Sequence, residues 1–197
     1  SDNQVFSHTF SMTSSSMNSQ SSKNNQSKEP CLRIIPLGGL GEIGKNTCVF
    51  EYGDDIMILD AGLAFPTDGM HGVNVVMPDT TYLRANQSRI RGMVVTHGHE
   101  DHVGALSKLS FLNVPIYSPP MAGEIIKKNL SRDNHEKIKP VSLYKQYRFD
   151  DFNITWFPVV HSIPDSCGLI IQTKKKLPYY IIYIKNVNKY NEIKHIN

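Results

Sequence analysis

The stretch Thr96-His97-Gly98-His99-Glu100-Asp101-His102 decides how the rest of this chain is read. Four of the six residues after Thr96 are candidate metal ligands: His97, His99, Asp101 and His102. The apolar run Met93-Val94-Val95 leads in, and Val103-Gly104-Ala105-Leu106 leads out, with Leu109 three residues further on. The pattern predicts a buried strand, a tight turn and then an amphipathic helix. On extended backbone, residues i and i+2 project to one side, so His97 and His99 can reach a single ion together. Asp101 and His102 fall where the chain turns into the helix and point elsewhere, which leaves a place for a second metal in the same cleft. A charged, solvated loop is the competing reading. Against it, so many ligand groups beside a buried strand would be costly to assemble without a cation, and imidazole and carboxylate are the donors that zinc and related ions take.

A further histidine falls in a matching place. His161-Ser162-Ile163-Pro164-Asp165 follows the apolar segment that ends at Val160, so His161 mirrors His97 and is the natural third imidazole beside His97 and His99. Asp60 ends the apolar run Ile56-Met57-Ile58-Leu59 and precedes Ala61-Gly62. Such a carboxylate can accept the free N–H of a ligand imidazole and so orient it; a turn-initiating Asp fits the same position.

The 197 residues suffice for one domain with a sizeable core. Segments 32–35, 47–52, 56–59, 114–117, the paired stretches 141–149 and 153–160, and 167–172 read as strands, and a helix is expected to open at Pro119-Pro120 and run to Leu130. Its apolar side is expected to carry Met121, Ile125, Ile126 and Leu130. The glycine-rich stretch Gly38-Gly39-Leu40-Gly41-Glu42-Ile43-Gly44-Lys45-Asn46 lacks the ending of a phosphate-binding loop, and a hairpin connection is the preferred reading. His71 and His135 read as loop and solvated residues. Cys31, Cys48 and Cys167 form no CxxC pair and are expected as small buried hydrophobes, which fits a reducing compartment. A net charge of +3 is compatible with a polyanionic substrate but too small to argue for one. No apolar run approaches membrane-spanning length.

Both ends differ from the centre. Residues 1–29 are rich in Ser, Asn and Gln and are expected to be disordered, either as the remnant of a transit peptide or as a plain tail. Residues 174–197 consist largely of Tyr, Ile, Asn and Lys, types that share AT-rich codons, and are expected to be foreign to the domain; an edge strand is the alternative. The domain proper is therefore placed at residues 30–173.

Taken together, Leu37-Gly38-Gly39, Gly41-Glu42-Ile43-Gly44-Lys45-Asn46, Leu59-Asp60-Ala61-Gly62, the stretch 96–102 and His161-Ser162-Ile163-Pro164-Asp165 resemble the ribonuclease J family, the β-CASP branch of the metallo-β-lactamase fold. Phe65-Pro66-Thr67-Asp68-Gly69-Met70-His71-Gly72 is most similar to cyanobacterial and plastid members, and the resemblance covers about residues 31–173. It implies an α/β fold, an αββα sandwich with two zinc ions at its strand ends. By position His97, His99 and His161 would ligate one zinc, Asp101 and His102 the other as catalytic residues, with Asp60 behind them. The implied activity is hydrolysis of RNA phosphodiesters, 5′→3′ exonucleolytic and endonucleolytic, by a homo-oligomer in plastid or cytoplasm. The family also has a downstream HTGDFK-like segment whose Asp bridges the metals, and here residues 174–197 stand in its place. The chain is accordingly expected to be a truncated, N-terminal part with one tight zinc site and little activity of its own. The competing expectations are a small-molecule hydrolase of the same fold, such as a thioesterase like glyoxalase II, and a catalytically dead metal-binding fragment.

Overall fold

The computed structural model describes residues 31–174, 179–183 and 192–196. The segment expected to be disordered, residues 1–29, lies outside them. Strands β1 (Leu32–Gly38), β2 (Thr47–Tyr52) and β3 (Asp55–Leu59) form antiparallel neighbours. After helix α1 (Thr81–Ala85), strand β4 (Ile90–Val94) joins β3 in parallel. The short helix α2 (Glu100–Val103) precedes β5 (Ile116–Ser118), and α3 (Pro120–Asn129) precedes β6 (Ile138–Pro140), both strands again parallel. These six strands make one sheet in sequential order. The second sheet is antiparallel, built from β7 (Gln146–Phe149), β8 (Phe152–Pro158), β9 (Cys167–Thr173), β10 (Tyr179–Tyr183) and β11 (Glu192–Ile196). Within 174–197 the described backbone thus adds β10 beside β9 and β11 beside β10.

Strand parity explains the layering. Successive side chains of β3 point to opposite faces. Ile56 and Ile58 enter a core with Leu83, Val103, Leu106, Leu109 and Ile126 from the helical side. Met57 and Leu59 enter a second core with Phe152, Ile154, Trp156, Leu169 and Ile171 from the other sheet. β3 is buried along its whole length, which is why it reads as an unbroken apolar run rather than an alternating one. Among the described residues every helix packs on the first sheet, so three layers, α, β and β, are seen. The Trp156 indole N–H donates to the Val95 carbonyl at 2.9 Å, and the Cys167 N–H donates to the Thr96 carbonyl at 3.0 Å. These two bonds pin the second sheet to the end of β4, where the ligand turn begins.

Three local expectations are corrected, and one element is added to them. The amphipathic helix after the ligand turn is only one turn of α-helix followed by a 3-10 segment, Leu106–Leu112. The cause is competition for its carbonyls. The Asp101 carbonyl accepts from Asn46 N–H at 3.0 Å, the His102 carbonyl from Ala61 N–H at 2.7 Å, and Ala105 N–H turns away to the Ala61 carbonyl at 2.8 Å. An α-helix cannot propagate once those groups are committed elsewhere. Met121, placed on the apolar side of α3, is 42% exposed, because the first turn of that helix stands at the surface. Cys31 precedes β1 and is exposed, whereas Cys48 is half-buried and Cys167 buried. Finally, the polar stretch after α3 contains a 3-10 turn, Arg132–Lys137, and then β6, of which only Ile138 is buried. A three-residue edge strand with one apolar contact leaves no alternation to see. His135 in that turn is half-buried, its Nε2 3.1 Å from the Leu130 carbonyl oxygen, while His71 is an exposed loop residue.

Candidate metal centre

Loops at one end of the strands converge on a single cluster. His97 and His99 lie on the extended segment between β4 and α2; His99 itself has φ −69° and ψ 147°. Its carbonyl accepts from the N–H groups of His102 and Val103, at 2.9 and 3.0 Å, which starts the helical turn and carries Asp101 and His102 round to one side. His161 arrives from the loop between β8 and β9.

The three imidazoles meet at their nitrogens. His97 Nε2 and His99 Nδ1 are 3.1 Å apart, His161 Nε2 is 3.1 Å from His97 Nε2, and it is 3.1 Å from His99 Nδ1. Ligand atoms at the corners of a tetrahedron with arms of 2.0–2.1 Å stand about 3.3 Å apart. The triangle therefore has the size of one tetrahedral face, and the three residues can hold one metal ion.

Proton bookkeeping shows which atoms face inward. The Thr96 N–H and hydroxyl donate to the two Asp60 carboxylate oxygens, at 2.9 and 2.8 Å. Since the hydroxyl proton is spent there, Thr96 Oγ1 accepts from His97 Nδ1–H at 2.9 Å. The proton of His97 is thus on Nδ1, and Nε2 presents a lone pair to the triangle. Burial, aided by the neighbouring His102, His161 and His99, pushes the His97 pKa down to about 2. His161 is lowered too, by desolvation and then by His99 and His102. Neither ring accepts a proton readily, so a metal meets little competition there.

His102 behaves in the opposite way. Its Nδ1–H donates to Asp60 Oδ2 at 2.7 Å, which turns Nε2 toward Asp101, whose Oδ2 lies 3.7 Å away. Burial opposes charge on this ring, yet the Asp60 carboxylate, by charge and by hydrogen bond, and then Asp101 raise its pKa above the ordinary value. The pocket beside His102 thus favours positive charge. Asp60 adopts a left-handed backbone, φ 55°, and is 4% exposed. That conformation costs about 1–3 kcal/mol, offset by three buried hydrogen bonds to its carboxylate.

The structure brings together every residue singled out above: His97, His99 and His161 in one triangle, Asp101 and His102 beside it, and Asp60 behind. Sequence reasoning passed over three more. Thr96 fixes the tautomer of His97. Asp165 accepts from the Met121 N–H at 3.0 Å and so ties the His161 loop to the start of α3. Asn46 donates from Nδ2 to Asp101 Oδ2 at 2.9 Å, and the same nitrogen lies 3.2 Å from His102 Nε2. A run of glycines ending in Asn is the signal that could have found it, but a hairpin connection accounts for the glycines equally well. The hairpin is there, since β1 and β2 pair antiparallel, and the same connection also delivers Asn46 to the site. Gly62 permits the contact: a Cβ there would stand 1.6 Å from the Asp101 carbonyl oxygen.

Comparison with known proteins gives this arrangement its class. Residues 57–182 match the family model described as the Beta-lactamase superfamily domain, and the chain belongs to that family. The match runs past residue 173 and into β10. Over 159 residues the chain is 50% identical to ribonuclease J of Synechocystis sp., covering 77% of this chain and 24% of that protein. It is 41% identical over 150 residues to ribonuclease J 2 of Staphylococcus aureus, covering 74% of this chain and 27% of the relative. The chain thus spans about a quarter of the length of these curated relatives. Among solved structures, the metallo-β-lactamase fold protein YhfI from Bacillus subtilis superposes with a TM-score of 0.52 at 16% identity, over 73% of this chain and 58% of that one. A metallo-β-lactamase from Cronobacter sakazakii gives 0.55 at 12% identity, over 76% and 60%. These last likenesses show the fold alone.

Proposed function

We propose that this chain is the metal-binding portion of a ribonuclease that hydrolyses RNA phosphodiesters, as ribonuclease J is named for doing. The observation that carries the reading is the histidine triangle with Asp101 and His102 beside it, set in a chain half identical to a ribonuclease J over 159 residues. His97, His99 and His161 would hold one zinc ion, and Asp101 and His102 a second. When bound, two such ions supply a water acidic enough to attack at neutral pH and positive charge facing the phosphate oxygens. The protein's own part is to hold ligand atoms still. Thr96 keeps the His97 lone pair inward, and Asp60 keeps the His102 ring turned toward Asp101. No helix among the described residues is long and apolar enough to cross a membrane. RNA as partner, homo-oligomerisation, and residence in plastid or cytoplasm follow from the same resemblance.

The test is cleavage of 5′-monophosphorylated RNA by a protein extended to the length of its relatives. Zinc-dependent cleavage is expected, abolished by His97→Ala or Asp101→Ala. Negligible turnover is expected from the 197 residues alone. If the extended protein leaves RNA intact and hydrolyses a thioester such as an S-acyl glutathione, the ribonuclease reading is wrong.

A further inference from the structure

We propose that Asn46 is the positioning residue of the second metal site, acting through Asp101 and His102. The inference rests on the two-metal reading above and names a residue which that reading does not use. The Asn46 amide nitrogen reaches Asp101 Oδ2 at 2.9 Å and His102 Nε2 at 3.2 Å, and those two atoms are 3.7 Å apart. With His102 neutral, the form that binds a metal, both are acceptors: a carboxylate oxygen, and the ring nitrogen left bare once Nδ1–H is committed to Asp60. Two facing acceptors repel and would splay apart. An amide carries two N–H bonds on one nitrogen and can satisfy both at once. It holds them at a separation that a cation with arms of about 2.0–2.1 Å can span.

The main chain fixes the amide in place. Asn46 N–H donates to the Asp101 carbonyl and Gly62 N–H donates to the Asn46 carbonyl, each at 3.0 Å. Residue 46 is therefore bonded to the segment bearing Asp101 by both backbone and side chain. On its far side the amide oxygen lies against Gly39, where φ is +84° and a Cβ would come within 2.5 Å of Oδ1. Gly39 thus leaves the space that the Asn46 side chain fills. With a cation bound, the N–H directed at His102 would give way and the one directed at Asp101 would remain to orient the carboxylate. Partners of this kind, one bond removed from the metal, change affinity by roughly 10- to 100-fold when removed.

The experiment is a cobalt(II) titration of the chain, followed by visible absorption and calorimetry and fitted to two sites. Asn46→Leu keeps the branched shape and removes both N–H donors. It is expected to weaken the second ion by roughly ten-fold or more and to leave the three-histidine ion unchanged. Asn46→Ser, too short to reach, is expected to do the same and serves if the leucine variant does not fold. Gly39→Ala, which retains every second-site side chain, is expected to weaken the same ion. Because Asn46 acts largely through Asp101, the double variant N46L/D101A is expected to bind as D101A does. Equal second-ion affinity in N46L, N46S and the unaltered chain overturns the proposal, as do additive losses in the double variant. Weakening of both ions together overturns it as well, since that marks a merely structural residue. Uptake of only one cobalt by the unaltered chain sinks the two-metal reading and this proposal with it.

Discussion

Two polar clusters lie near the first sheet, and they solve opposite problems. In one, the Glu51 carboxylate on β2 accepts from Arg33 at 2.9 Å, from Arg89 at 2.6 Å and from the Tyr82 hydroxyl. Arg89 also donates to the Gly53 carbonyl at 3.0 Å and to Asn86 Oδ1 at 2.9 Å. Every acceptor there faces a donor. Burial works against the Glu51 charge, but the bonds from Tyr82 and Arg89 and the two guanidinium charges outweigh it and lower its pKa. In the other, three imidazole nitrogens face one another at 3.1 Å, and His97 turns a lone pair inward. Nothing among the described residues completes that triangle. A self-complementary cluster is a structural device, whereas one that complements itself only with an added cation is a site.

The strongest way to break this contrast is to remove the imidazoles. A His97→Ala/His99→Ala/His161→Ala variant is expected to lose all tightly bound zinc in elemental analysis, while Glu51→Gln keeps the full complement. Unchanged zinc in the triple variant would refute the assignment. Next in size, zinc should stabilise the unaltered chain against heat, by about 2.7 kcal/mol at a free concentration one hundred times Kd. Chelation should reverse the shift, and the triple variant should show none.

Replacing Glu51 by Gln sharpens the other side. It strips the charge from a group that holds two guanidiniums and is expected to cost about 1–2 kcal/mol of stability in urea unfolding, the same with or without zinc. The smallest effect is in pH. Because the folded pKa of Glu51 lies below its unfolded value, its stabilisation is present above the usual glutamate range near 4.3 and is lost as pH falls through the folded value. Acid titration of stability in zinc-free buffer should therefore be shallower below about pH 4.3 in Glu51→Gln than in the unaltered chain. Parallel curves would show that the cluster contributes no acid-side stability.

How much of this could be seen beforehand differs by residue. The first-sheet strands β2, β3 and β4 were legible because an apolar run closed off so soon by turns is too short for a buried helix. His97 and His99 were legible as a pair from their spacing alone, since extended backbone puts i and i+2 on one side. The one-turn length of α2 was not legible. Its sequence continues a helical pattern through Leu106 and Leu109, and only carbonyls taken by Asn46 and Ala61 stop it. β6 was hidden because a single buried Ile138 makes no period.

By itself the sequence determined which groups could ligate a metal, where the chain would be extended when it presented them, and which apolar runs would be buried. Those properties depend on residue type and on neighbours a few positions away. The tertiary structure alone decided that His161 closes the triangle at 3.1 Å, that Asp60 reaches across 42 residues to His102, and that Asn46 stands 55 residues from the Asp101 it grips. Such distances are set by the register of β4 against its neighbours and by backbone bonds between loops. Neither leaves a periodic trace in the chain, because each is a meeting of two segments and not a property of either one.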